Sequence, residues 1–419
     1  MSAITESASK SVRDYCSVAF GVSLAACILV ALGSSRAIVG PLGYWLVWAV
    51  VVVVGLFDVR ADLSTLRLDK GFRKLSLGFA LLFSGFAVSA GFNNDTYTLF
   101  QGFKWLCIFA AFVAIYSCAR KLAGHHLVVI SKVTIFTAFV VFGMSKLVFK
   151  DWYVWLEDGR EGSQFAYPGV LWKTSVFFFG FILVGMVKGR HAFSGIAILM
   201  AAVYLLLVDS SRTGFLWSAL VFAVLLAKIY TDLSRANKQV FFACGGGTIL
   251  LSVVFFYLYG DMVGADMAIF KRLSAGDSVR VQLLTDGVEH AKECFVFGCG
   301  FGSASSLIMG ENVVVHNAYL GSLADLGFIG LSGFTILMLQ PFQTYWSVIG
   351  RKRYVMEGDN LAWVAMMGVL GYGFSMALHP QSTELSEWGL WIVMVSWMST
   401  LCASRSDRAI DGGSLETCP

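Results

Sequence analysis

The feature that most constrains this chain is the recurrence of apolar runs about twenty residues long. Twelve can be traced, at about 16–34, 37–57, 75–93, 103–118, 127–149, 168–187, 191–208, 213–230, 239–260, 317–339, 360–379 and 385–403. A bilayer core about 30 Å thick is crossed by roughly 20 apolar residues in a helix. Backbone groups inside lipid must pair within their own segment, so each run reads as a helix. The runs lack the alternation of an outer-membrane barrel strand. Composition closes the other routes. Hydrophobic residues make up 57 % of the 419 and charged residues only 14 %, against about 25 % charge in a soluble domain. That balance excludes an ordinary soluble enzyme, a disordered chain and a disulfide-rich secreted domain. The net charge of +4 gives no reason to expect a nucleic-acid partner. The expected fold is therefore all-α: a polytopic transmembrane helical bundle of about twelve spans, with one long outer loop containing short helices.

Orientation follows from where the cations sit, because cytoplasmic loops are enriched in Lys and Arg. With the N-terminus placed in the cytoplasm, every cytoplasmic connection is basic. The clearest are Arg60, Arg67, Lys70, Arg73 and Lys74 between the second and third runs, and Arg351-Lys352-Arg353 between the tenth and eleventh. Both termini are then expected in the cytoplasm. Leu24-Ala25-Ala26-Cys27 resembles a lipoprotein cleavage box, but the apolar run continues through it, as suits an uncleaved span. Lys104, Lys132, Lys146, Lys173 and Asp325 fall within runs. Charges at such depth are functional candidates unless they pair structurally.

Chemistry is expected on the outer face. Most connections are short, but about 260–316 separates the ninth and tenth runs, and a connection that long is usually functional or a small domain. Within it, 278–292 reads as an amphipathic helix with Val281, Leu284, Val288 and Ala291 as its apolar stripe, and with Asp277 and Ser278 as candidate caps. The turn Gly298-Cys299-Gly300-Phe301-Gly302 follows. No strand-turn-helix unit surrounds it, so a tight turn back to the membrane is favoured over a phosphate cradle. Cys294 and Cys299 share this loop, where an oxidising periplasm permits a disulfide. A second outer loop, 150–167, carries Trp152, Tyr153 and Trp155, as suits a segment at headgroup level.

His316 stands where the long loop enters the tenth run. Histidine is the usual general base near neutral pH. Arg212, in Asp209-Ser210-Ser211-Arg212-Thr213-Gly214, opens the eighth run from the same side. A helix N-terminus and a guanidinium both favour phosphate. Arg272 and Arg280 add two guanidiniums in the long loop. The outer loops hold no Asp-x-Asp pair, no His/Cys metal cluster and no Gly-x-Ser-x-Gly elbow. A metal-dependent glycosyltransferase is therefore disfavoured, and no cofactor is expected.

These residues carry a resemblance. Ser211-Arg212-Thr213-Gly214 opens a span, Arg280 lies in an outer helix, and the Gly298–Gly302 turn follows. Then comes His316-Asn317-Ala318-Tyr319-Leu320, continued by Leu323-Ala324-Asp325-Leu326-Gly327-Phe328-Ile329-Gly330. Together they resemble the bacterial O-antigen ligase and O-antigen polymerase membrane proteins over about 205–335. The resemblance implies a metal-independent transfer of a polyprenyl-diphosphate-linked glycan, on the periplasmic side, to a hydroxyl of a lipid A core or of another lipid-linked glycan. It implies His316 as general base and Arg212 and Arg280 as diphosphate ligands. Arg272 is added from its position, and Asn317 and Asp325 are supporting residues; the family often has Glu where Asp325 stands. The chain divides into N-terminal helices (1–204), a ligase-like core (205–340, with the loop 260–316), C-terminal helices (341–403) and a cytoplasmic tail (404–419). The competing class is a lipid-linked glycan transporter or flippase, since many transporters also carry about twelve spans.

Overall fold

The computed structural model describes residues 2–59, 63–187, 192–232, 278–308, 310–348 and 359–411. The chain is mostly helical. Its helices are α1 (Ser2–Ala31), α2 (Arg36–Val59), α3 (Leu63–Leu68), α4 (Lys70–Asn93), α5 (Thr96–Ala119), α6 (Gly124–Leu147), α7 (Leu171–Val187), α8 (Ala192–Asp209) and α9 (Arg212–Asp232). After the undescribed stretch come α10 (Ser278–Glu293), α11 (Ala318–Val348), α12 (Asp359–Met376) and α13 (Leu385–Asp411). Helix covers each apolar run except 239–260, which lies outside the described residues. Among the described residues, five helices, α2, α4, α5, α6 and α11, are long and apolar enough to cross a membrane, and shorter apolar helices lie at Ser17–Ala31, Leu171–Met186, Phe193–Asp209 and Asn360–Met376. Such a set fits a multi-pass membrane protein.

Among the described residues, two short antiparallel hairpins accompany the helices. β1 (Tyr153–Trp155) pairs with β2 (Glu161–Ser163), and β3 (Ser305–Ile308) with β4 (Glu311–Val314). Both lie in the loops expected on the outer face. At three or four residues each, their strands are too short for alternation to stand out in the sequence.

The chain forms two compact units, Met1–Thr134 with Asp277–Pro419, and Ile135–Gly276. In the first, α4 and α11 pack antiparallel through small residues. A side chain at Gly85 would meet the Gly330 backbone at 2.7 Å, and one at Gly333 would meet the Leu82 amide nitrogen at 2.5 Å. Close backbone approach through glycines is the usual route to helix association where lipid removes the hydrophobic driving force. Aromatic rings fill the rest of this core: Phe79, Trp105, Phe112, Trp388 and Trp391 are all buried and in mutual ring contact.

Several charges placed by sequence in loops or runs are structural. Lys121 pairs with buried Asp58 at 2.8 Å, and Arg120 with Asp69 at 3.1 Å. Asp69 also caps α4 by accepting from the amides of Gly71 and Phe72. Lys104 donates to Glu384 at 2.6 Å, an acceptor it shares with Arg36. Lys146 pairs with Glu161.

Candidate functional site

The first unit gathers most of the motif residues around a break in α11. Gly327 sits inside that helix at φ 68°, ψ −168°, a region open essentially to glycine alone. The break frees backbone groups that lipid could not satisfy. The loop after α10 satisfies them. The amides of Cys299 and Gly300 donate to the carbonyls of Ala324 (2.9 Å) and Asp325 (3.1 Å), and the Phe328 amide donates to the Phe295 carbonyl (2.9 Å). The sequence motif around Asp325 and the glycine-rich turn are thus two halves of one structure.

Side chains lock the turn from both sides. Asp325 is 2 % exposed and accepts from the amides of Gly302 (2.9 Å) and Ala304 (3.1 Å) and from the Ser303 hydroxyl (3.1 Å). From α4, Ser89 donates to the Asp325 carbonyl and accepts from the Gly300 amide, while Asn93 donates to the Gly298 carbonyl. From α5, the Thr98 hydroxyl accepts from the Phe301 amide at 2.6 Å and donates to Asp95. That donation holds the Asp95 carboxyl below its ordinary range. The Gly298 amide donates to Cys294 and the Ser303 amide to the Gly300 carbonyl. Every amide from 298 to 304 is therefore committed within the protein, and the turn offers none to a phosphate. Ser89, Asn93 and Thr98 were not singled out from sequence. For Ser89 and Asn93 the signal was a polar residue in an otherwise apolar run, and for Thr98 its place three residues after the capping Asp95.

Removing the Asp325 carboxylate takes the acceptor from one buried and two part-buried donors, and a buried donor left unpaired costs about 1–3 kcal/mol. Asp325→Ala is expected to lower the thermal midpoint of the detergent-solubilised protein by many degrees. Asp325→Asn, which keeps one acceptor oxygen, is expected to fall between the two. An alanine variant that melts with the wild type would remove this role.

His316 and Asn317 form the entry to α11. The Asn317 side chain is an N-cap, accepting from the amides of Tyr319 and Leu320 at 3.0 Å each. His316 is partly buried, and its Nδ1 lies 2.9 Å from the Val314 carbonyl. A carbonyl only accepts, so Nδ1 carries the proton and the neutral ring keeps its lone pair on Nε2. Val315, between the hairpin and this entry, is buried with Ala291, Ala304 and Ala324. Gln381 packs beside Gly321 near the start of α11, and its Oε1 is buried without a hydrogen-bond partner.

Helix α10 forms over the expected residues, and only Ala291 of its apolar stripe lies on the face that meets protein. Its buried face is Leu283, Gly287 and Ala291, continued by Cys294. A side chain at Gly287 would meet Val315 at 2.7 Å. Val281, Leu284 and Val288 are instead exposed. The apolar arc is wider than the face that meets protein, and Gly287 carries no apolar signal despite lying at its centre. Arg280 lies two turns before Gly287 on this helix and is exposed. Arg272 and Asp277 lie outside the described residues.

Cys294 and Cys299 are disulfide-bonded. His290, one turn before Cys294, brings Nε2 to 3.5 Å from the Cys294 sulfur and 3.2 Å from the Ser303 hydroxyl. Their ligand-type atoms lie within 4.8 Å of one another, a His/Cys group not evident from sequence spacing. With the sulfurs bonded to each other, neither offers a thiolate to a metal.

Arg212 belongs to the second unit. It is the first residue of α9, and Ser211 caps that helix by accepting from the Gly214 amide at 3.2 Å. Just before it, buried Asp209 accepts from the amides of Gly169 and Trp172 and so ties the end of α8 to the start of α7. Ser210 adopts φ 51° between them.

No protein-family model matches this sequence, and a search of curated proteins finds no significant relative.

Proposed function

We propose that this chain is a bacterial inner-membrane glycosyltransferase of the O-antigen ligase or polymerase type. It has about twelve spans, both termini in the cytoplasm and its site facing the periplasm. It transfers a polyprenyl-diphosphate-linked glycan to a hydroxyl of a lipid A core or of another lipid-linked glycan, within surface polysaccharide assembly. The observation that carries the reading is His316: a ring at the mouth of an apolar helix, with its proton fixed toward Val314 and its Nε2 lone pair available to take a proton.

The chemistry follows from that arrangement. A sugar hydroxyl is a weak nucleophile, and Nε2 takes its proton as the oxygen attacks the anomeric carbon. The bond to the diphosphate breaks, and configuration at that carbon inverts. Arg280 and Arg212, with the weaker candidate Arg272, neutralise the charge that grows on the departing diphosphate, in the role a metal ion plays elsewhere. Asn317 and Asp325 act indirectly, by fixing the entry to α11 and the loop that covers its break.

Losing one charge-assisted contact to phosphate costs about 1.5–3 kcal/mol. Arg280→Ala and Arg212→Ala are each expected to lower kcat/KM for the lipid-linked donor by roughly 10- to 150-fold, with membrane insertion and protein level unchanged. Normal turnover in both variants would remove the diphosphate assignment.

One observation favours the transporter class: broken helices are common at transport sites. Here, however, the groups freed by the Gly327 break are taken up by Cys299, Gly300 and Phe295, which leaves those carbonyls committed.

A further inference from the structure

Helix α10 presents two different free surfaces. Around its axis, Leu283, Gly287 and Ala291 face the protein. Beside that face runs the row Val281, Leu284 and Val288, spaced i, i+3, i+7, with 66 %, 46 % and 38 % of each residue exposed. The remaining arc is mostly polar, carrying Gln282, Thr285, Asp286, Glu289, Lys292 and Glu293, all exposed, with Val279 exposed in the first turn. A helix standing in water would put polar residues over its whole unpacked surface. This one divides that surface lengthwise.

The apolar row does not end with the helix. The chain continues into Phe295-Val296-Phe297, all three exposed. Phe297 stacks on Phe92 with ring centroids 4.7 Å apart, and Phe295 lies 6.0 Å from the Phe328 ring. Phe92 and Phe328 are themselves exposed, on α4 and α11, two of the helices long and apolar enough to span a bilayer. The flank of a spanning helix that no protein covers is covered by acyl chains. The surface from Phe92 and Phe328 through Phe295–Phe297 is continuous with that flank.

We infer that α10 is an interfacial helix: Val281, Leu284 and Val288, with Phe295–Phe297, are seated in the acyl boundary of the adjoining leaflet, and the occupant of this face is bilayer lipid. A large apolar face opposite a charged one is the pattern of helices that lie in the membrane plane. The consequence for the fold is an anchor. The loop that covers the break in α11 is held down by the disulfide, by Asp325 and by the bilayer itself. The inference concerns where the helix lies and holds whatever reaction the chain performs.

The test places the photocrosslinker benzoylphenylalanine at one position at a time in the full chain, in nanodiscs of a single phosphatidylcholine. Positions 284 and 288 probe the apolar row, 286 the polar arc, and 328 the flank of α11. After irradiation, mass spectrometry is expected to find adducts of one lipid mass at 284 and 288, comparable to 328 and at least about fivefold above 286. Lipid adducts at 284 and 288 no higher than at 286 would overturn the inference. So would a covalent dimer, which makes a second copy the occupant, or a crosslink into residues 233–277, which makes the chain its own cover.

Discussion

Replacing His316 with alanine is expected to reduce glycan transfer by about 10²–10⁴-fold, the range a positioned general base contributes, while protein level and membrane insertion hold. The structural side of the site does not depend on the imidazole. Asn317, not His316, caps α11, and the contact His316 makes to the Val314 carbonyl is a single hydrogen bond at a partly buried position. Loss of that bond costs about 1 kcal/mol, too little to unfold the protein. The variant should therefore remain folded and inactive, and imidazole added to the assay should restore part of the rate. His316→Gln, which can still donate to the Val314 carbonyl but has no basic lone pair, should be as inactive as the alanine variant. Activity in the glutamine variant would make His316 a positioning residue rather than the base.

The second large effect is on folding. Gly327→Ala is expected to prevent accumulation of correctly folded protein. Its φ of 68° with ψ −168° is one a side chain scarcely tolerates, and the added Cβ would lie 2.4 Å from the Val296 carbonyl oxygen and 2.8 Å from the Gly298 amide nitrogen. Both are backbone atoms of the loop that satisfies the broken helix, so relief of the clash must pull that loop away. The freed groups of Ala324, Asp325 and Phe328 would then face lipid unpaired, at several kcal/mol each. Gly302→Ala is the internal control. Gly302 also has a positive φ of 82°, but its added Cβ would meet nothing within 4 Å. Only the left-handed strain of about 1–2 kcal/mol remains, and a modest drop in thermal midpoint is expected. Size-exclusion profiles and melting curves of the two variants separate the cases. Equal behaviour would mean the break is not what holds the loop.

The helices were legible because a twenty-residue apolar run in lipid has little alternative to helix. The glycine-rich turn was also legible as a turn, through glycines that take up positive φ at 298, 300 and 302. Its partners were not. Asp325 lies more than twenty residues from the amides it binds, and Ser89 more than two hundred from Gly300. Such pairings are made by tertiary packing, and nothing in local pattern announces them. The apolar stripe on α10 was legible, but the face that packs on the protein was not, for a related reason. Periodicity finds an apolar arc but cannot say which half of it meets protein, and Gly287, the closest approach, looks neutral in sequence. Asn317 is legible as a cap from its place before an apolar run. The His290–Cys294–Cys299 grouping needed the fold, since a helical turn and a tight turn together bring three separated residues to one point.

The central claim is that this chain joins a glycan from a lipid diphosphate to a hydroxyl, rather than moving it across the membrane. Purified protein in detergent, with a polyprenyl-diphosphate-linked glycan, a hydroxyl acceptor and a metal chelator, tests it directly. The account predicts glycan joined to acceptor, with one polyprenyl diphosphate released for each transfer. No joined product under these conditions, from protein that moves the same donor across proteoliposomes, would contradict it.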